Sequence, residues 1–449
     1  MPVSLERLQD RGHRPRGGWP VVLQGIHPFL RFLRRHRPVH QRDQRNHREV
    51  SRRETGLNVP MTRPKLLLPG PIDIWEETLE ALSQQVLPHY GEDFGPIYEE
   101  TVSMLRTIFQ TRNDVIIMTA PGSGALDAGL SSLFQPGEQV AVVTNGPFAN
   151  RLVEILKAFR SEVIAVDDPW GEPGDPDKMR SALERHPQAA GLVVVANDTG
   201  TGVRNPLEAY AGLAREFDLP FFVDGVSALG GYDIPVDELG IDVAVTSSNK
   251  ALETAPGLGI LSVSDRAWDI IRTKDSGHRG WYYDLAVWKR ASESSGEHPY
   301  PTTQASSLIV SLHASLKRIL HRETLEGHWA RYAWARSVVR AGLRAVGCTP
   351  IVADAAASCT VTTFRVHPDV SEAAELRTYL LRNHGFLAAQ AMGEFARDAL
   401  RVGHMGKAGS RKYIEPFLLG MEDFFRTVKD HDLPRGCSLD GLRRSGISY

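Results

Sequence analysis

From about residue 75 onward, short apolar runs bounded by Gly, Pro, Asn or Asp alternate with stretches whose apolar residues recur at helical spacing. That alternation is the pattern of repeated βα units, and it restricts the fold more than any other feature of the chain. VIIMTA (115–120), QVAVVT (139–144), GLVVVAN (191–197), LPFFVDG (219–225) and DVAVTSS (242–248) read as strands. GALDAGLSSLF (124–134) and PLEAYAGLAREF (206–217) read as amphipathic helices between them. The expected class is α/β, a mostly parallel buried sheet flanked by helices. After about residue 325 the rhythm changes to a long helical stretch, then CTVTTFRV (359–366), a helix over SEAAELRTYLLRNHG (371–385) and a final strand, DALRVGHM (398–405). This reads as a smaller C-terminal α+β domain.

A chain of 449 residues exceeds what one hydrophobic core usually organises, so two domains are expected. The sequence suggests a large domain over 61–320, the small domain over 321–430 and a tail over 431–449. Residues 1–60 are different: RFLRRHRPVHQRDQRNHREVSRRET (31–55) is dominated by Arg, His and Gln and cannot bury enough apolar surface to order itself. It is expected to be a disordered basic extension, with folded structure starting near Met61. It lacks a long apolar core, which argues against a secretory signal, and Glu6, Asp10 and Asp43 argue against a transit peptide.

Lys+Arg 52 against Asp+Glu 54 leaves a formal net charge of -2, so no global basic field invites nucleic acid or an anionic membrane. Small-molecule partners are expected instead. The three cysteines, Cys348, Cys359 and Cys437, are widely spaced, which indicates neither a disulfide framework nor a metal site and fits a reducing cytoplasm. No apolar run approaches the ~18–20 residues that a bilayer crossing needs.

The chemistry concentrates in residues 221–261. Asp224 closes one apolar strand and Lys250 follows another, so in a parallel sheet both emerge at the carboxyl ends, where open α/β sheets bind ligands. A lysine amine must be neutral to form an imine, and a poorly solvated site favours that form. A carboxylate beside a pyridine nitrogen keeps that nitrogen protonated and strengthens the ring as an electron sink. Pyridoxal 5′-phosphate (PLP) chemistry needs these two groups, with Lys250 also serving as the base that moves a substrate proton. Taken alone, a strand-end Asp is more often a helix cap and a Lys is more often solvated surface. The order Asp–Gly–Val–Ser, then Ser–Ser–Asn–Lys, favours the catalytic reading.

APGSGALDA (120–128) sits at a strand-to-helix turn, where glycines let the backbone close around a ligand and the helix start offers free N–H groups to a phosphate. Together with NGPF (145–148), NDTGTGVRNP (197–206), DGVSALGG (224–231), SNKAL (248–252), PGL (256–258) and LRVGHMG (400–406), it resembles the class V aminotransferases, especially the alanine/serine–glyoxylate (pyruvate) branch. The similarity runs from PGP (69–71) to about residue 425. It implies a fold-type I PLP enzyme.

The resemblance implies a role for each matching residue. Gly122, Ser123 and Gly124 would hold the cofactor phosphate, with Pro121 where relatives carry a small hydroxyl or Gly. Phe148 would stack on the ring, Val226 would pack on its other face, and Asn249 is a further polar contact. Thr199 would bond near the ring hydroxyl, although Gly200 stands where Ser is often found. Arg401 would bind the substrate carboxylate through its guanidinium fork, while His404 reads as structural. Tyr300 and Thr303, in HPYPTTQ (298–304), match a segment that reaches the other subunit's phosphate, which implies a homodimer. The activity expected is transfer of an amino group from a small amino acid such as alanine or serine to a 2-oxo acid such as glyoxylate or pyruvate. Pyridoxamine–pyruvate aminotransferase is the alternative, but that pattern places a second arginine nine residues ahead of the first, and this chain has Met392 there. A cysteine desulfurase would need a mobile cysteine and usually stacks a His where Phe148 stands. A non-catalytic PLP-binding module would have no need of Arg401.

Overall fold

The computed structural model describes residues 63–275, 277–294 and 298–445. The extension read over 1–60 lies outside the described residues. In chain order the strands are β1 (Lys65–Leu67), β2 (Asp114–Met118), β3 (Gln139–Thr144), β4 (Glu162–Asp167), β5 (Ala189–Val195), β6 (Asn197–Asp198), β7 (Val203–Arg204), β8 (Phe221–Asp224), β9 (Val243–Ser247), β10 (Gly259–Val263), β11 (Thr349–Pro350), β12 (Val361–Arg365), β13 (Phe386–Gln390) and β14 (Ala399–Gly403).

Seven of them form one sheet in the order β2-β10-β9-β8-β5-β3-β4. The neighbouring pairs β3/β4, β3/β5, β5/β8 and β8/β9 are parallel, and β10 runs against both β9 and β2. Strand β10 must reverse because only residues 248–258 connect it to β9, too few for a crossover helix to return the chain. Every residue of β8 and β9 is buried, as expected of strands covered on both faces. The five sequence-predicted strands of this sheet are all present. The sequence reading missed β10 and β4; β4 is an edge strand, and exposed Glu162, Ala165 and Asp167 break its apolar run.

A second sheet has the order β1-β13-β14-β12-β11 and packs on the helices Leu325–Ala345, Ala373–His384 and Arg411–Thr427. Its core includes Val338, Leu343, Phe364, Leu376, Phe417 and Phe424. Strand β1 belongs to this smaller sheet although it begins the described chain, because Lys65, Leu66 and Leu67 pair in parallel with Phe386, Leu387 and Ala388. A three-residue strand paired so far along the sequence leaves no local signature.

One buried carboxylate ties these parts together. Glu253, three residues after Lys250, accepts hydrogen bonds on Oε1 from Gly406 N–H at 3.0 Å, Arg331 Nη2 at 2.8 Å and the Tyr332 hydroxyl. Its Oε2 accepts from Trp75 Nε1 at 2.7 Å and from Arg318. Burial alone would raise its pKa, but Arg331 and Arg318 overcome this and hold the carboxyl well below the usual range. Glu253→Ala would leave two buried guanidiniums, Arg318 and Arg331, sharing Glu323 as their remaining carboxylate partner, so a loss of about 3 kcal/mol, the low end for a broken buried pair, is expected. The urea midpoint of the purified variant checks this, and a midpoint equal to wild type contradicts it.

Candidate active site

Five chain segments leave the carboxyl ends of the parallel strands toward one crevice. After β2 the chain turns at Pro121 into the helix Gly122–Leu133, whose N-terminus has no side-chain cap. The N–H groups of Gly122 and Ser123 have no acceptor among the described residues. A Cβ on Gly122 would meet Ser247 and Val226 at 3.1 Å, so the turn is seated tightly against β9 and the loop after β8. An uncapped, glycine-lined helix start of this kind suits a phosphate.

Asp224 ends β8 and is 5% exposed. Its Oδ1 accepts the Val226 N–H at 2.9 Å, while Oδ2 has no partner among the described residues. Burial pushes this carboxyl up to about 6, the Val226 N–H and the positive charges of Arg151 and Lys250 partly opposing the rise.

Lys250 follows β9 in a turn that closes on Ser248, whose hydroxyl donates to Ala255 O at 2.6 Å and accepts Leu258 N–H at 3.2 Å. Its Nζ donates to the carbonyl of Pro69 at 2.6 Å. Gly70, with φ +118°, lies over the lysine stem, and a Cβ there would fall 2.6 Å from Nζ. Only glycine suits both that backbone and that space. Burial pushes the Lys250 amine down to about 8, with the Arg401 charge adding to the effect and Asp224 opposing it. A substantial neutral fraction at physiological pH is what a nucleophilic amine requires.

Arg401 stands in the middle of β14. Its Nε donates to Gln390 O at 3.0 Å and its Nη1 to Thr199 O at 3.1 Å, leaving Nη2 without a partner among the described residues. The carbonyl of Thr199 therefore aims this guanidinium, and the Thr199 hydroxyl has no partner among the described residues. Asn249 accepts from the Ser247 hydroxyl at 3.2 Å.

The sequence reading missed Asp198. This fully buried residue accepts on Oδ2 from the N–H of Phe148 at 2.9 Å and on Oδ1 from the N–H of Gly200 at 2.8 Å. One carboxylate thus fixes both the turn that presents Phe148 and the turn that presents Thr199. The acidic residue ahead of TGTG was the available signal. The structure also accounts for Gly200, since a Cβ there would lie 2.1 Å from Pro147 Cγ.

Gly122, Ser123, Gly124, Phe148, Thr199, Asp224, Val226, Asn249 and Lys250 stand at or just beyond the carboxyl ends of the parallel strands, and Arg401 on β14 meets them through the Thr199 carbonyl. Tyr300 and Thr303 do not join them in the same chain. Tyr300 is buried, its hydroxyl donates to His89 O, and its ring stacks on His298 with centroids 4.5 Å apart. Thr303 is exposed. His404 is fully buried, contacts Thr362 Oγ1 at 3.1 Å and is pushed down to about 3 by burial, so its ring is neutral. Cys348 is buried and pushed up to about 12, an inert thiol.

Residues 74–385 match the family model described as aminotransferase class-V. An uncharacterized aminotransferase of Methanocaldococcus jannaschii is 31% identical over 358 residues, covering 80% of this chain and 92% of that protein. The crystal structure of alanine–glyoxylate aminotransferase from a Nostoc species superposes with a TM-score of 0.75 at 30% identity, covering 82% of this chain and 96% of that one. That of pyridoxamine–pyruvate aminotransferase from Mesorhizobium loti superposes with a TM-score of 0.80 at 26% identity, covering 86% and 99%.

The electrostatics give a signed prediction. In protein stripped of bound ligand, labelling of Lys250 by an amine reagent should titrate near pH 8, well below an ordinary lysine. Asp224→Asn should move that midpoint down, because it removes the charge that favours the ammonium form. Arg401→Gln should move it up. Peptide mass spectrometry across pH reads all three, and a wild-type midpoint near 10.5 contradicts the assignment.

Proposed function

The chain belongs to the class V aminotransferases, and on that premise we propose that it transfers the amino group of a small amino acid, alanine- or serine-like, to glyoxylate or pyruvate at the crevice of Lys250 and Asp224. The enzyme is a transaminase and its family uses PLP. When bound, PLP supplies a protonated, electron-withdrawing ring that lets an amino acid Cα–H leave as a proton. The observation that carries the assignment to this crevice is the pairing, at the carboxyl ends of adjacent strands, of a buried carboxylate whose Oδ2 has no partner among the described residues with a half-buried amine shifted toward neutrality.

On this reading Asp224 holds a proton on the ring nitrogen and Lys250 carries the proton removed from the substrate Cα. The free N–H groups of Gly122 and Ser123, with the Ser123 hydroxyl, hold the phosphate, and Gly124 keeps the turn open. Phe148 and Val226 bracket the ring, Thr199 and Asn249 offer polar contacts to its edge, and Arg401 takes the substrate carboxylate with its free Nη2. We also read the active unit as a homodimer in which the Tyr300–Thr303 segment serves the partner's site; exposed Thr303 suits this better than Tyr300, whose hydroxyl is engaged within its own chain. Free cysteines support a reducing cytoplasm. Among the described residues no helix is long and apolar enough to cross a membrane.

The pyridoxamine–pyruvate reading keeps one support, the likeness to that enzyme. Against it stands the phosphate-type helix start, of no use to an enzyme that releases an unphosphorylated vitamin at every turnover. Dialysing the protein free of PLP and assaying amino donors with glyoxylate or pyruvate decides between them. Activity that returns only with PLP is expected, and efficient pyridoxamine turnover without it would reverse the preference. Borohydride should fix PLP on Lys250, and Lys250→Ala should abolish both the fixation and turnover. Arg401→Ala should raise KM for the amino acid roughly 10- to 100-fold, the range of a lost charge-assisted hydrogen-bond pair. Sedimentation of the active species should give a dimer, and full activity in a monomer contradicts that part.

A further inference from the structure

Arg151 enters neither the sequence reading nor the assignment above, yet it reaches the same crevice. It lies on the helix Pro147–Ala158, one turn after Phe148, and that helix start is pinned by Asp198 through the N–H groups of Phe148 and Ala149. The guanidinium carbon stands 4.7 Å from the centroid of the Phe148 ring, and Nη1 donates to Ser123 Oγ at 3.4 Å. No carboxylate lies within ion-pair distance of it among the described residues. Its contact with Ser123 brings the group to the helix start, and its charge is felt by both Asp224 and Lys250, lowering the pKa of each. A permanently charged, partly buried guanidinium without a counterion is costly, and an anion delivered to Ser123 would offset that cost.

We propose that Arg151 is the residue that makes the Gly122–Ser123 turn selective for a phosphorylated ring, binding the phosphate dianion together with the helix N–H groups. This rests on the Lys250 crevice being the PLP site. The helix start supplies partial positive charge and direction. Arg151 supplies a full charge and a planar fork, which a neutral hydroxymethyl group in the same place could not engage. The protein therefore retains the phosphorylated form as a resident group and discriminates against the free vitamin. The same anionic-oxygen chemistry is present in the distal carboxylate of a dicarboxylic amino donor, so the experiment must separate the two sources.

Equilibrium titrations of ligand-free wild type, Arg151→Gln and Arg151→Lys with PLP and with pyridoxal, followed by absorbance, provide the test. Arg151→Gln should weaken PLP roughly tenfold or more. It should change pyridoxal affinity less than about threefold, and Arg151→Lys should restore much of the preference for PLP. Equal weakening of both ligands would mean that Arg151 merely buttresses Phe148 and would overturn the proposal, as would no change in either. Unchanged PLP affinity with a selectively raised KM for aspartate over alanine would also overturn it, assigning the charge to a substrate carboxylate. If borohydride fixes no PLP on Lys250 of wild type, the underlying site assignment fails. Fixation on Lys250 with Arg151→Gln indistinguishable from wild type in the titrations defeats only the role given to Arg151.

Discussion

Glu253 is where the architecture and the chemistry are joined. Its carboxylate gathers Trp75 from the start of the described chain, Arg318, Arg331 and Tyr332 from the helical stretch between the two sheets, and the Gly406 N–H from the loop after β14. Its own N–H donates to Lys250 O at 3.0 Å. The turn bearing the amine and the strand bearing Arg401 are therefore indexed to a single buried point. Glu253 holds φ +56°, a conformation that non-glycine residues adopt only when the surroundings impose it. A buried ion-pair network of this kind contributes less net stability than its contacts suggest, because desolvation offsets much of the attraction. Its value is in register, since few other arrangements satisfy so many partners at once.

Desolvation also sets the chemistry of the crevice. Burial disfavours charge on whichever group it touches, so it raises Asp224 and lowers Lys250 toward a common range. Neighbouring charges then make finer adjustments: Arg401 and Arg151 lower Lys250 further, and Asp224 pulls it back. Two guanidiniums and one amine around Asp224 and Asp198 give a crevice suited to anionic ligands. Asp198 takes part through geometry more than charge. Four backbone N–H groups converge on it, and the loops after β3 and β5 hold their shapes as a result.

Much of this was legible in the linear chain. The apolar runs around VVV and FFV identify the buried strands because alternation of polarity and turn residues is a local property. Asp224, Lys250, Gly122 and Phe148 stand at the ends of such runs, so their convergence follows from the parallel sheet alone. Strand β4 was hidden by its exposed face, and β1 by its brevity and distant partner. Arg151 reads as an ordinary helical arginine until the fold brings it to Ser123. Tyr300 is a different case, since a motif match says nothing about the hydroxyl being taken up by His89 in the same chain.

The sequence by itself determined the α/β class, the order of the strand-end motifs and the placing of Lys250 and Asp224 at strand ends, because periodicity, turn chemistry and residue type act over a few neighbouring positions. The tertiary structure decided what surrounds them. The Pro69 carbonyl on Lys250, the free oxygen of Asp224, the pinning role of Asp198, the reach of Arg151 and the Glu253 hub are all contacts between residues that are mostly far apart in the chain. Burial and charge at those contacts depend on distance in space, which no local pattern of residues encodes.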